Sequence, residues 1–347
     1  MTQLLEELRK RVDLGLIAAR PNGRLTIFDY TNHCMFERAW DDYTMQARGL
    51  VLDDQGKIIA RPWRKFFNVN ERPETKLEAL PAETPELSDK VDGSMIIVFY
   101  DEATGWRAIT RGCWENPQTK YANAWLSQSN RRLHRDNTYM FELIAPWNRL
   151  VIPYEKEEMI LLGIVKTDSG EDASYAQVSA YAKDYGFKAI GFETRPISEI
   201  SLQDPKVRDR EGYVARYSNG LRVKLKYHQY MLLHKILTGL SVKGIWETLS
   251  TNNEPSFENV PDEFMEWFRK QRDGLRKSYS ELEERAKAAF VATPPQSNRK
   301  DWATEFKKHG DLTPILFLML DKLPYAELIW DRIKPKGQTG TFQVNQE

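Results

Sequence analysis

The chain has 347 residues, 41% of them hydrophobic and 29% charged, which suits two globular domains and excludes a fibrous or low-complexity protein. Fifty Lys and Arg residues offset fifty Asp and Glu residues, for a formal net charge of zero. That excludes a uniformly basic nucleic-acid coat but leaves room for a local basic groove.

The first residues are acidic and amphipathic, unlike a signal peptide. Leu4, Leu5, Leu8 and Val12 recur at helical spacing, so residues 2–12 predict a helix. From about 24 to 227 the pattern becomes short β-branched and aromatic runs. Gly49–Leu52 and Ile58–Arg61 flank Asp53-Asp54-Gln55-Gly56 and predict a hairpin. Met95–Tyr100 and Trp106–Thr110 predict another. Tyr139–Ile144 and Met159–Lys166 read as strands, and Ser174–Tyr185 as a helix. Tyr213–Tyr217 and Leu221–Lys226 flank Ser218-Asn219-Gly220, a strong hairpin signal. A two-residue turn there would put Glu211, Tyr213 and Ala215 on the face of Lys224 and Lys226. A three-residue loop would put Val214 there.

After about 228 the strands stop. Gln229–Thr238, Asp262–Phe290 and Leu312–Leu323 predict helices. The middle one lines up Phe264, Phe268, Leu275, Tyr279, Leu282, Ala286 and Phe290, with Gly274 as a weak point. The expected division is an α+β domain over 1–235, a helical domain over 236–335 and a disordered tail over 336–347. No apolar run reaches the length of a membrane span. Cys34 and Cys113 form no Cys-x-x-Cys pair, which suits a reducing compartment. The five histidines lack metal-ligand spacing. Asn130–Arg135 is a basic cluster able to meet RNA phosphates or simply to be solvated.

Lys90-Val91-Asp92-Gly93-Ser94 carries the chemistry. A lysine amine attacks phosphorus only when neutral, so a pKa of ~10.4 must fall through burial or nearby positive charge. Glycine allows close approach to phosphates, and the serine hydroxyl can donate to oxygen. Upstream lie Arg48-Gly49 and Lys65-Phe66-Phe67-Asn68; downstream lie Thr110-Arg111-Gly112, the block from Phe141-Glu142-Leu143 through Asn148-Arg149 to Tyr154, Glu211-Gly212-Tyr213-Val214 and Lys224-Leu225-Lys226. In a strand Lys224 and Lys226 share a face. A glutamate within an apolar strand needs a partner, and Arg149 is one candidate for Glu142.

In this order and spacing, over residues 40–230, these segments resemble the phage-type RNA ligase 1 family of covalent nucleotidyltransferases. The resemblance implies an α+β fold: a nucleotidyltransferase domain of ATP-grasp-like ligase type with antiparallel sheets, then an all-helical C-terminal domain. It implies an ATP-dependent RNA ligase that joins 5′-phosphate and 3′-hydroxyl ends through AMP on Lys90. By the same resemblance Arg48 engages the nucleotide, and Lys65 meets the pyrophosphate end of ATP. Arg111 supplies a further basic contact in place of the family's lysine. Glu142 accepts from the ribose hydroxyls, while Leu162 and Val214 wall the adenine. Glu211 helps hold Mg²⁺ (or Mn²⁺), and Lys224 and Lys226 stabilise charge on the α-phosphate. The implied partners are single-stranded RNA or nicked tRNA and a separate end-healing kinase or phosphatase, in the cytoplasm of a bacterial host if phage-encoded.

Two other readings share part of this pattern. DNA ligases and capping enzymes follow the closing lysine motif with a small β-barrel, which the helical pattern after 228 disfavours. A non-catalytic RNA-binding protein on a ligase scaffold would not need Lys90, Glu142, Glu211, Lys224 and Lys226 intact.

Overall fold

The computed structural model describes residues 2–128, 132–149, 151–204, 206–207, 209–251, 253 and 262–335. The expected tail at 336–347 and part of the Asn130–Arg135 cluster lie outside them. The chain divides into two units, Met1–Leu232 and Leu233–Glu347.

In the first unit the strands are β1 (Ile17–Asn22), β2 (Leu25–Tyr30), β3 (Arg48–Asp53), β4 (Ile58–Ala60), β5 (Phe67–Asn68), β6 (Glu86–Lys90) and β7 (Ser94–Asp101). They continue with β8 (Gly105–Thr110), β9 (Asn137–Ile144), β10 (Glu158–Lys166), β11 (Lys188–Ala189), β12 (Phe192–Thr194), β13 (Gly212–Arg216) and β14 (Arg222–Lys226). The helices are α1 (Gln3–Asp13), α2 (Asn32–Phe36), α3 (Asp42–Gln46), α4 (Pro117–Ser127) and α5 (Tyr175–Tyr185). α6 (His228–Gly239) runs across the division.

Among the described residues these strands form three sheets, ordered β1-β2-β3-β4, β11-β10-β9-β7-β8 and β12-β6-β13-β14-β5. Neighbours pair antiparallel except at two edges, β10–β11 and β14–β5, which are parallel. α1 turns Leu5 and Leu8 onto Ile17, Phe28, Leu50 and Leu52 of the first sheet. The second sheet buries Val98, Tyr139, Phe141 and Leu161 with Val178 and Ala182 of α5. Both cores follow from apolar residues at the helical and strand periods.

The β13–β14 hairpin settles the register. Tyr213 pairs with Leu225, Val214 with Lys224 and Ala215 with Val223, so the loop is the three residues Ser218-Asn219-Gly220. Gly220 has φ +84°, the left-handed position that closes such a loop. Val214 therefore shares the face of Lys224.

Every described element of the second unit is helical: α7 (Val242–Ser250), α8 (Asp262–Ala292), α9 (Arg299–Lys307), α10 (Thr313–Leu320), α11 (Ala326–Arg332) and a short 3-10 turn. Leu282, Ala286 and Ala289 of α8 pack with Phe306, Leu316 and Ile329. α8 stops before Pro294-Pro295, where the ring cannot continue a helix. No helix among the described residues is long and apolar enough to cross a membrane.

Candidate active site

The site lies on the third sheet. Lys90 is the last residue of β6 and pairs with Gly212, which pairs with Lys226. Two rows along, Ser88 pairs with Val214, and Val214 with Lys224. Four of the predicted residues (Lys90, Val214, Lys224 and Lys226) thus sit in two alternate rows of one sheet, separated by the row of Asp89, Tyr213 and Leu225.

Glu211 joins the first row by a backbone device. Alternation along a strand would turn Glu211 away from the face of Val214. Gly212 has φ +148°, a conformation that L side chains rarely adopt, and it re-aims the preceding residue. The Glu211 carboxylate then lies 2.8 Å from Lys90 Nζ and 2.8 Å from Lys226 Nζ, with only 3% of its side chain exposed. Two ammonium partners compensate a charge that would be costly to bury alone.

The loop that follows Lys90 is pinned at every residue after Val91. Asp92 is buried. Its Oδ2 accepts the amides of Val151 at 2.8 Å and Ile152 at 2.9 Å, and its Oδ1 accepts the Tyr230 hydroxyl at 2.7 Å. The Asp92 amide donates to the Tyr154 hydroxyl at 3.1 Å. The Gly93 amide donates to Glu142 Oε1 at 3.1 Å. A β-carbon on Gly93 would stand 2.4 Å from the Leu143 carbonyl oxygen, so only glycine fits. Ser94 Oγ donates to Asn148 Oδ1 at 3.0 Å, which ties its hydroxyl down. Asp92, Tyr154 and Tyr230 therefore belong to the site; the first two lie inside motifs, and Tyr230 carries no sequence signal. Tyr230 stands 138 positions from Asp92.

Glu142 lies on β9 between Met95 and Ile160. Burial pushes its carboxyl up to about 7, against the pull of the Lys90 charge and with further push from Glu211. Its partners here are the Gly93 amide and the Lys90 field; Arg149 Nε donates to the Val151 carbonyl at 3.3 Å.

A stability test follows from the raised value. The folded state keeps a proton that the unfolded chain releases near 4.5. Wild-type stability should therefore fall, relative to Glu142→Gln, as pH rises from about 4.5 to about 7, by roughly 3 kcal/mol in all. Urea unfolding of both proteins across that range checks it. A difference that does not change with pH would contradict the assignment.

Lys224 is half-buried beside the Phe66 ring, 4.9 Å from its centroid. Burial, then the charges of Lys65, Arg48, Lys90 and Lys226, hold its ammonium well below the ordinary lysine range. Arg48 starts β3, lies 5.4 Å from the Phe66 ring and donates to the Trp63 carbonyl at 3.4 Å. Burial likewise lowers its guanidinium pKa. These cations crowd one place, and an anion there would relieve the repulsion.

Arg111 stacks 4.4 Å over Tyr30, donates to its hydroxyl and pairs with Asp29 at 3.1 Å. Burial raises the Asp29 carboxyl to about 6. A carboxylate inside the apolar run Ile27-Phe28-Asp29-Tyr30 is the sequence signal that could have marked it.

Leu162 occupies a bulge in β10, where pairing skips from Leu161 to Gly163. It is half-buried against the cluster that includes Trp63, Met140, Ile144 and Ile160, the cluster against which Phe66, Val91 and Met95 also pack.

The structure thus brings together a lysine with a carboxylate on it, a crowded set of cations and an apolar wall. A model of the RNA ligase family matches residues 46–238, over half the chain. The chain belongs to the RNA ligase family. The RNA ligase of Rhodothermus phage RM378 is 23% identical over 384 aligned positions, covering 88% of this chain and 84% of the phage protein. A protein of Thermovibrio ammonificans, provisionally named an RNA ligase, is 30% identical over 212 positions. That match covers 56% of this chain and 54% of the relative, so the chain spans about half of that protein. Among solved structures, a provisionally named ATP-dependent DNA ligase from Aquifex aeolicus aligns with a TM-score of 0.50 at 16% identity, over 81% of each chain. That likeness shows a shared ligase fold. In this ligase the matched region contains every predicted site residue.

Proposed function

We propose that the ligase uses ATP to join 5′-phosphate and 3′-hydroxyl ends of single-stranded RNA, carrying AMP on Lys90. The observation that supports this best is the row Lys90–Gly212–Lys226 with Glu211 on both ammonium groups, beside a Lys224 already depressed by its cationic neighbours. Such an arrangement needs an anion, and a nucleotide triphosphate supplies one.

The neutral Lys90 amine attacks the α-phosphorus; a P–N bond forms and the bond to pyrophosphate breaks. An RNA 5′-phosphate oxygen then attacks the same phosphorus, and the lysine leaves. The RNA 3′-hydroxyl attacks the adenylylated end, and AMP leaves. Lys224 and Lys226 neutralise charge on the α-phosphate, Lys65 the pyrophosphate, and Arg48 and Arg111 the neighbouring oxygens. Glu142 accepts from the ribose hydroxyls. Leu162 and Val214 face the adenine.

Glu211 orients the Lys90 amine and is the carboxylate for a divalent cation. Among the described residues no group of three or more His, Cys, Asp or Glu side chains forms a metal cage. One carboxylate beside a phosphate site fits Mg²⁺ or Mn²⁺ that keeps water and takes its other ligands from the nucleotide. The cation supplies charge neutralisation on the phosphates.

The helical elements after Lys226 favour RNA over a duplex DNA nick or a cap, because the barrel that accompanies those activities in related enzymes would need strands here. We place the enzyme in the cytoplasm of its host, acting after an end-healing kinase or phosphatase, with broken tRNA among its substrates. Three 5′-phosphorylated substrates test the reading: single-stranded RNA, single-stranded DNA and a nicked duplex. Sealing at least about tenfold faster on RNA is expected, a gap of ~1.4 kcal/mol in transition-state energy. Preference for the nicked duplex would contradict it.

A further inference from the structure

Lys65 comes from the run between β4 and β5. Its ammonium lies 5.3 Å from the Tyr30 ring, 5.4 Å from Trp40 and 5.2 Å from Phe67. Among the described residues no carboxylate stands within 4.0 Å of it. Ring faces attract a cation without neutralising it, so the charge stays available to an anion.

The rings also hold one another. Tyr30 and Trp40 meet at 5.0 Å and 80°, and Trp40 and Phe67 at 5.4 Å and 75°, the edge-to-face geometry that aromatic quadrupoles favour. Trp40 is the shared member.

A built loop presents it. Arg38 adopts φ +52°, a left-handed conformation for a residue with a β-carbon. The Trp40 amide then donates to the Arg38 carbonyl at 2.8 Å. The Ala39 carbonyl accepts Thr44 Oγ1 at 3.1 Å, and Asp41 caps α3 through the amides of Tyr43 and Thr44. Arg11 of α1 pins Asp41 at 2.9 Å. Residues 38–41 are thus anchored on both sides of the indole.

We propose that Trp40 is a positioning residue that, with Tyr30 and Phe67, holds Lys65 as an uncompensated cation for the pyrophosphate end of ATP. The inference rests on the proposed role of Lys65. Its effect falls on pyrophosphate and ATP and spares the later sealing of an end that already carries AMP.

Calorimetric titration of the full chain with inorganic pyrophosphate tests it. Trp40→Leu should weaken pyrophosphate binding about tenfold, and Trp40→Phe should recover part of the loss. In a Lys65→Gln background Trp40→Leu should add nothing, because the two residues act as one unit. Sealing of pre-adenylylated RNA should stay at the wild-type rate. Unchanged pyrophosphate affinity in Trp40→Leu, additive losses in the double variant, or an equal loss of sealing would overturn the proposal. Failure of the broader reading would look different: wild type would bind pyrophosphate in a Trp40-dependent way yet form no AMP adduct.

Discussion

Replacing Lys90 by alanine is expected to remove covalent capture of AMP completely, with no label retained from α-labelled ATP. No other side chain in the site combines a primary amine, a place at the end of β6 and a loop that brings phosphate close. Lys226 lies in the same row but one strand beyond Gly212, on the other oxygen of Glu211. The variant should still fold. Glu211 keeps Lys226 at 2.8 Å, so no buried carboxylate is left without a cation, and the change in stability should stay within about 1 kcal/mol. Lys90→Ala should also seal RNA that already carries AMP, because that transfer needs no lysine nucleophile. Lys90→Arg should be as inert in adenylylation, since a guanidinium does not give up its proton in this range. Gel detection of label, with unfolding measured in parallel, separates lost chemistry from lost fold.

The second large effect belongs to a residue without a side chain. A β-carbon at position 212 would stand 1.9 Å from the Leu225 carbonyl oxygen, and 2.9 Å from Lys226 Cα. Both are backbone atoms of the partner strand and cannot rotate away. The positive φ adds its own cost. Gly212→Ala should therefore destabilise the first unit by about 3 kcal/mol or more. Relaxation of the backbone toward ordinary alternation would turn Glu211 off the lysine face, so adenylylation should fall by at least about 100-fold in molecules that remain folded. Urea unfolding gives the first quantity and single-turnover labelling the second. Wild-type values for both would show that the Glu-Gly pair does not aim the carboxylate.

The contrast between these two positions explains how much of the protein is legible in its sequence. Lys90, Glu142, Glu211, Lys224 and Lys226 can be found because each lies in a short motif whose chemistry restricts its neighbours. Long periodic elements such as α8, and hairpins flanked by turn residues, are legible for the same local reason. What crosses the fold is not. β6 reads Glu-Leu-Ser-Asp-Lys, with Leu87 its only apolar member, yet it lies between β12 and β13. Its strand character comes from its neighbours, not from alternation. β2 falls in a general β-rich run without a signal of its own, and β1 at Ile17–Asn22 lies ahead of that run. α7, α9 and α11 are short, and their helical state depends on the core they share with α8. Turn residues leave the hairpin register open, and the Val214–Lys224 pair fixes it. Placing Glu211 and Val214 on one face then required the backbone turn at Gly212, which no spacing rule contains.

Asp92 shows the same limit from inside a motif. It lies two positions from Lys90, and both its oxygens are occupied by Val151, Ile152 and Tyr230. It fastens the loop and leaves proton chemistry to its neighbours. Tyr154 completes the fastening, and burial holds its phenol up at about 12, so it stays a neutral acceptor for the Asp92 amide.

The proposed reaction turns on a bond between AMP and Lys90. The most direct measurement incubates the wild-type chain with ATP and a divalent cation, digests it, and locates the adduct by tandem mass spectrometry. The structure predicts an acid-labile, alkali-stable AMP on the peptide containing Lys90, lost on addition of pyrophosphate. An AMP group on any other residue, or none while RNA is still being sealed with ATP, would rule out Lys90 as the carrier of AMP.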